Sequence, residues 1–203
     1  AFGPTGSTII AHENSREFMK NNNNINIVLV EYPQQAYENK SLPTITFKDE
    51  MKLNFNNNNI SLHNFGPAHT TGDTIVFFKE ENIIHFGDVL NIDSMVFIDS
   101  GNGGSLSGMI KNLEQALKIM NKETVVVPGH GEITNYDTVE KYLEALIIAK
   151  EKLLEMIDMN MSLEEIIENN PIKNLEEILG DTTVLINRSY LSLTKGQTIE
   201  KEL

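Results

Sequence analysis

Three residues of this 203-residue chain are of types, and in settings, that could do chemistry: His69, Asp88 and His130. They lie in G-P-A-H-T-T-G-D (66–73), I-I-H-F-G-D-V (83–89) and V-V-V-P-G-H-G (125–131). In each, an apolar strand-forming run meets small, turn-forming residues. Two imidazoles and a carboxylate are donors that a borderline cation such as zinc prefers. Small residues near each donor (Gly66-Pro67-Ala68 before His69, Gly87 before Asp88, Gly129 and Gly131 around His130) let the backbone bend sharply and leave room around the side chain. No close ligand pair such as H-x-x-x-H is present. The spacing alone therefore fits a metal site or three unconnected loop positions, with Asp73 and Asp88 merely capping turns.

The other candidates read as structural. His12 and His85 sit in apolar strands, where a hydrogen-bonded core imidazole is the simpler expectation, and strand alternation would point His85 away from Asp88. His63 precedes His69 by six residues and could orient its loop. Thr70, Thr71 and Asp73 look like turn-forming supports of His69 rather than reacting groups. The glycines of Gly101–Gly104 lack the lysine and the frame of a phosphate loop and read as a flexible connection.

These residues must be positioned by strands and helices. Short strands are expected at 7–12, 51–55 and 60–65, with 44–47 as the neighbour of the latter two, and a hairpin is expected from 74–78 and 83–86 around the 79–82 turn. A helical turn is expected through 14–20. Asn21–Asn24 reads as a loop insertion and Asn56–Asn59 as a turn. From Ser105 the apolar spacing becomes helical (Leu106, Met109, Ile110, Leu113, Leu117, Met120). A strand at 124–127 follows, then a long helix from a capping box at Asp137 and Glu140 to about Met159. Ser162 and Glu165 offer a second capping box, and 175–179 and 183–193 read as further helices. The order is mostly β, then helix–strand–helix, then an all-helical tail. We divide the chain at 1–150 and 151–203.

Composition limits the function. A net charge of −13 disfavours nucleic acid and anionic membrane as partners, and no run reaches the length of a membrane span. The absence of cysteine excludes disulfides and thiolate metal sites. Forty per cent hydrophobic residues suffices for a core. The tail's apolar stripe suits packing, a cover for the site, or the surface of a homo-oligomer.

Taken together and in this order, the three motifs resemble the C-terminal motifs of the metallo-β-lactamase superfamily, which has an α+β, αββα sandwich fold. The resemblance covers roughly residues 1–150. I-I-A-H-E-N-S-R-E-F-M (9–19) is similar to the segment after that family's first motif, and I-D-S-G-N-G-G-S-L (98–106) to a loop of one hydrolase branch. The resemblance implies that His69 holds a first zinc ion, that Asp88 bridges two, and that His130 holds the second. It further implies a zinc-dependent hydrolase, using metal-activated water on an ester, thioester, lactam or related bond of a small-molecule substrate. The family's H-x-H-x-D-H is absent from this sequence. We therefore expect an N-terminally incomplete sandwich with exposed strand edges, a partial dinuclear site, and little activity from the chain alone. The alternatives are a non-catalytic module of the same fold and a mononuclear site.

Overall fold

The structure, a computed structural model, describes residues 5–27, 30–92 and 95–200. Strand β1 (Ile10–His12) leads into helix α1 (Glu13–Lys20), followed by strands β2 (Asn23–Ile27) and β3 (Val30–Gln34). Five more strands follow: β4 (Ile45–Phe47), β5 (Glu50–Phe55), β6 (Asn58–His63), β7 (Ile75–Phe78) and β8 (Ile83–His85). The rest comprises α2 (Leu106–Ile119), β9 (Val125–Val127), β10 (Thr134–Asn135), α3 (Tyr136–Asp158), α4 (Leu163–Asn169), α5 (Glu176–Leu179) and α6 (Thr182–Glu200). This is the expected order of β, helix–strand–helix and helical tail.

The main sheet runs β10-β9-β8-β7-β6-β5. From β5 to β8 it is an antiparallel meander, and its first turn explains one asparagine run. Asn56 and Asn57 have φ of 51° and 61°. Two consecutive left-handed residues suit a tight hairpin, and asparagine tolerates that region better than most side chains. β8 and β9 pair in parallel, with α2 in the crossover between them. That helix places Leu106, Met109, Ile110, Leu113 and Ala116 in a core shared with Ile75, Ile84 and Val126 of the sheet. α3 adds Val139, Tyr142, Leu146 and Leu153 to the same core. Each fully buried side chain of this kind contributes about 1.5–3 kcal/mol, so helix-on-sheet burial is the main stabilising term. Position 150 falls inside α3, and Ile166, Leu179, Leu185 and Ile186 from α4–α6 join the same cluster.

Four local expectations are corrected. β4 pairs in parallel with β1, not with β5 or β6, because Thr44 and Ile45 donate to the Ile9 carbonyl (2.9 and 3.2 Å). Asn23 and Asn24, expected in a loop, belong to β2 and pair with Gln34 and Pro33 of β3. A polar run can be a strand when its backbone finds a ladder partner. The cap of α3 lies two residues earlier than expected, at Asn135, which accepts from Thr138 N (3.1 Å). Asp137 and Glu140 instead take Lys122 Nζ at 2.7 and 3.4 Å. The Gly101–Gly104 connection, expected to be flexible, is a closed turn in which Asn102 N and Gly104 N both donate to the Asp99 carbonyl (2.9 and 2.8 Å). The capping box of Ser162 and Glu165 is present as expected.

β1 and β4 form a sheet of only two strands, backed by α1 and tied by Arg16 Nη1 to the Pro43 carbonyl (2.6 Å). Among the described residues, no helix is long and apolar enough to cross a membrane.

α2 is fastened to the loop between β6 and β7 by Asn112, whose buried amide donates to the Gly66 carbonyl (3.0 Å) and to Gly108 one turn back (2.9 Å). Asn112→Ala leaves the Gly66 carbonyl unpaired beneath the helix. Thermal or urea unfolding should show a loss of about 1–3 kcal/mol, with the far-UV spectrum retained.

Candidate metal centre

The main sheet delivers the three donors from three of its connections. His69 lies in the loop between β6 and β7, Asp88 in a short 3-10 turn at Gly87–Val89 just after β8, and His130 in the loop between β9 and β10. Because β8 and β9 are parallel neighbours, their C-terminal ends lie side by side. The pairing continues past the strands: Phe86 N donates to the Val127 carbonyl (3.0 Å), Gly129 N to Leu90 (3.0 Å) and Ile92 N to His130 (2.9 Å). Asp88 and His130 are thereby held by backbone geometry on adjacent strand extensions.

The result is a carboxylate set between two imidazoles. Asp88 Oδ2 is 3.6 Å from His69 Nε2, and Asp88 Oδ1 is 3.3 Å from His130 Nε2. His69 is mostly covered, whereas Asp88 and His130 are open to solvent. Gly129 makes this packing feasible: a Cβ there would stand 2.5 Å from both Asp88 Oδ1 and the Gly87 carbonyl oxygen.

His69 is the most constrained of the three. Its Nδ1 is 2.8 Å from the Phe97 carbonyl oxygen. A carbonyl only accepts, so Nδ1 carries a proton, and in the neutral imidazole the lone pair is then on Nε2, the nitrogen facing Asp88. This is the tautomer a metal ligand requires, fixed by a neighbour of the kind that commonly orients ligating imidazoles. The His69 carbonyl accepts from Asp99 N (2.9 Å), so the residue is held at both its ring and its backbone. Within the loop, Asp73 accepts from Thr70 N (2.9 and 3.2 Å) and Thr70 Oγ1 (2.8 Å). Burial pushes the Asp73 carboxyl above its ordinary range, opposed by the Thr70 hydrogen bonds. Asp73 and Thr70 are therefore turn-forming, as expected.

The other histidines stand apart. His12 is buried, caps α1 by accepting Asn14 N at Nδ1 (3.1 Å) and meets Phe47 edge-on. His63 binds Ser61 Oγ (2.8 Å) and stacks on Phe65 at the entry to the His69 loop. His85 departs from expectation: it is exposed rather than in the core, and its Nδ1 accepts Gly87 N (3.1 Å) at the turn carrying Asp88. Alternation along β8 buries Ile84 and leaves His85 to solvent.

The donor set fits zinc in kind but not in number. Nitrogen and carboxylate oxygen are suitable, yet Asp88 and one imidazole give each of two ions only two donors, where a catalytic zinc takes three from protein. Among the described residues, no group of three or more His, Asp or Glu side chains could by itself hold a metal ion. Beside the His69 loop a cavity of about 250 Å³ opens, lined by Thr70–Gly72, Asp99 and Asn102 on one side and by Phe18, Tyr37 and others on the other. Two supporting elements escaped the sequence reading. The Phe97 carbonyl gives no side-chain signal. Arg188, buried on α6 with its guanidinium carbon 5.1 Å over the centre of the Phe97 ring, gives a faint one, as one of only two arginines in the chain.

No family model matches the chain. A probable hydroxyacylglutathione hydrolase of Encephalitozoon cuniculi is 33% identical over 116 residues, which cover 55% of this chain and 41% of that protein. Among solved structures, a metallo-β-lactamase from Pontibacter korlensis matches with a TM-score of 0.55 at 16% identity, covering 71% of this chain and 60% of that one. The DIM-1 metallo-β-lactamase matches with a TM-score of 0.55 at 18% identity (73% and 61% covered). IND-7 matches with a TM-score of 0.53 at 20% identity (71% and 59% covered). The chain has the α+β fold of the metallo-β-lactamases, as its motifs implied. It spans less than half of the curated relative and about three fifths of these structures.

Two outcomes follow from this geometry. Gly129→Ala forces Asp88 away from His130 and should cost about 1–3 kcal/mol in denaturant unfolding. His63 has its pKa lowered, chiefly by burial, with Glu50 opposing and Lys52 assisting. Its neutral form is thus favoured by folding. The associated stability is fully present above the unfolded value of about 6.5 and is lost as pH falls below it. Urea midpoints measured across that window should flatten in His63→Gln.

Proposed function

We propose that this chain is a metallo-β-lactamase-type hydrolase subunit or segment that acts on a small molecule with zinc. In this reading His69 is the terminal ligand of one ion, His130 that of a second, and Asp88 the bridge between them. The observation carrying the reading is Asp88, which offers one oxygen to each imidazole nitrogen. The fold and the fixed tautomer of His69 support it. Bound zinc would supply Lewis acidity and acidify a water molecule for attack on a carbonyl.

The chain's own part is positional. The Phe97 carbonyl holds the His69 proton at Nδ1 and keeps Nε2 available. Asp73 and Thr70 keep the loop in shape, and the parallel ladder fixes Asp88 against His130. Among the substrates open to the fold, a thioester is favoured by the hydroxyacylglutathione hydrolase similarity. With two donors per ion, further ligands are required for tight binding and full activity.

Elemental analysis after equilibration with graded zinc, on wild type, Asp88→Asn and His130→Ala, tests the reading. Weak uptake in wild type that drops at least tenfold in affinity in both variants supports it, with slow turnover of a hydroxyacyl-glutathione thioester following the same order. Uptake indifferent to both substitutions overturns it. No uptake at millimolar zinc identifies a non-catalytic module of this fold instead.

A further inference from the structure

We propose that Arg188, on the C-terminal helix α6, is the positioning residue that sets the tautomer and orientation of His69. Two backbone groups clasp His69: the Phe97 carbonyl accepts from its ring at 2.8 Å, and Asp99 N donates to its carbonyl at 2.9 Å. Both belong to the irregular segment 95–99, which has no strand partner. A sheet ladder therefore does not set its position. The segment is tied to the helical tail by Val96 N, which donates to the Leu179 carbonyl (3.1 Å), and by Arg188.

Arg188 is 1% exposed, and its guanidinium carbon lies 5.1 Å over the centre of the Phe97 ring. Burial holds the Arg188 guanidinium below its ordinary pKa, and the charge of the Asp99 carboxylate opposes that shift. One side chain thus addresses Phe97 and Asp99, the two residues whose backbones grip His69, while Ile98 between them is buried in the core. The Phe97 ring completes the relay, lying 5.7 Å from the His69 ring with the guanidinium also over it.

The chemistry explains the choice of arginine. A planar, weakly hydrated cation can stack on a ring and act on a carboxylate at the same time; a lysine ammonium is a point charge that stacks poorly. Burying any cation is costly, and an apolar residue of similar length would pack at lower cost. A cation retained here holds the two grip residues in one register, and through them the imidazole.

The test reads the imidazole directly. Long-range ¹⁵N NMR of the metal-free chain, at a pH where imidazoles are neutral, reports the tautomer of each histidine. Wild type should show His69 protonated at Nδ1. His12, whose Nδ1 accepts from Asn14 N, should be protonated at Nε2 and serves as the internal control. In Arg188→Met and in Phe97→Leu, His69 should lose its single tautomer and become a mixture while His12 is unchanged. Zinc affinity should fall about tenfold. If Arg188→Met fails to fold, Phe97→Leu decides alone, since it removes the stacked ring but keeps the backbone carbonyl.

A pure Nδ1–H state of His69 retained in the folded variants overturns the proposal, as does its absence in wild type. The zinc measurement rests on the proposed function; the tautomer measurement does not. A wild-type chain with His69 clasped but no zinc uptake would sink the function and leave the role of Arg188 standing.

Discussion

The site depends on a parallel pairing. β8 and β9 are the one parallel pair of the main sheet, and α2 fills the crossover between them with its apolar face buried. Parallel neighbours end on the same side, so the loops leaving them start together. The ladder then runs on through Phe86, Gly129 and Ile92, and it is this extension that puts a carboxylate beside an imidazole. An antiparallel β8–β9 would have placed Asp88 and His130 at opposite edges. Burial of Leu106, Met109 and Leu113 therefore supports both the fold and the proximity of the two polar side chains.

His69 reaches the same place by different means. Its loop buries Ala68 in the core and is shaped by hydrogen bonds: Asp73 onto Thr70, Asn64 onto Asp73, and Asn112 onto Gly66. Such a loop has a defined shape but little intrinsic hold on a ring. The hold comes from the segment around Phe97, which in turn is held from behind by the helical tail. The three candidate ligands thus rest on two separate supports, one a sheet ladder and the other a packed irregular segment.

Much of this could be read from the sequence. The apolar periodicity of 106–120, the turn at Asn56-Asn57 and the capping box at Ser162 are local signals, and the structure follows them. The three donors were legible as a set because each follows a recognisable strand among small, turn-forming residues. The corrected elements were decided by partners distant in sequence. β4 had the composition of a strand, but nothing in it named β1 as its neighbour. Asn23 and Asn24 read as loop until β3 supplied a ladder. Asp137 lost its capping role to Asn135, and its carboxylate serves Lys122, fifteen residues earlier. The Phe97 carbonyl could not have been found, because a backbone acceptor looks the same in every residue.

The dependence of segment 95–99 on α6 has a consequence for how the molecule breathes. A packed helix can open locally with a free energy of its own, separate from global unfolding. Each excursion in which α6 lifts away also removes the backing of Phe97 and Asp99, and with it the grip on His69. Asp88 and His130, fixed by the ladder, do not share that excursion. The orientation of His69 accordingly depends on the docking of α6, whereas the positions of Asp88 and His130 depend on the ladder.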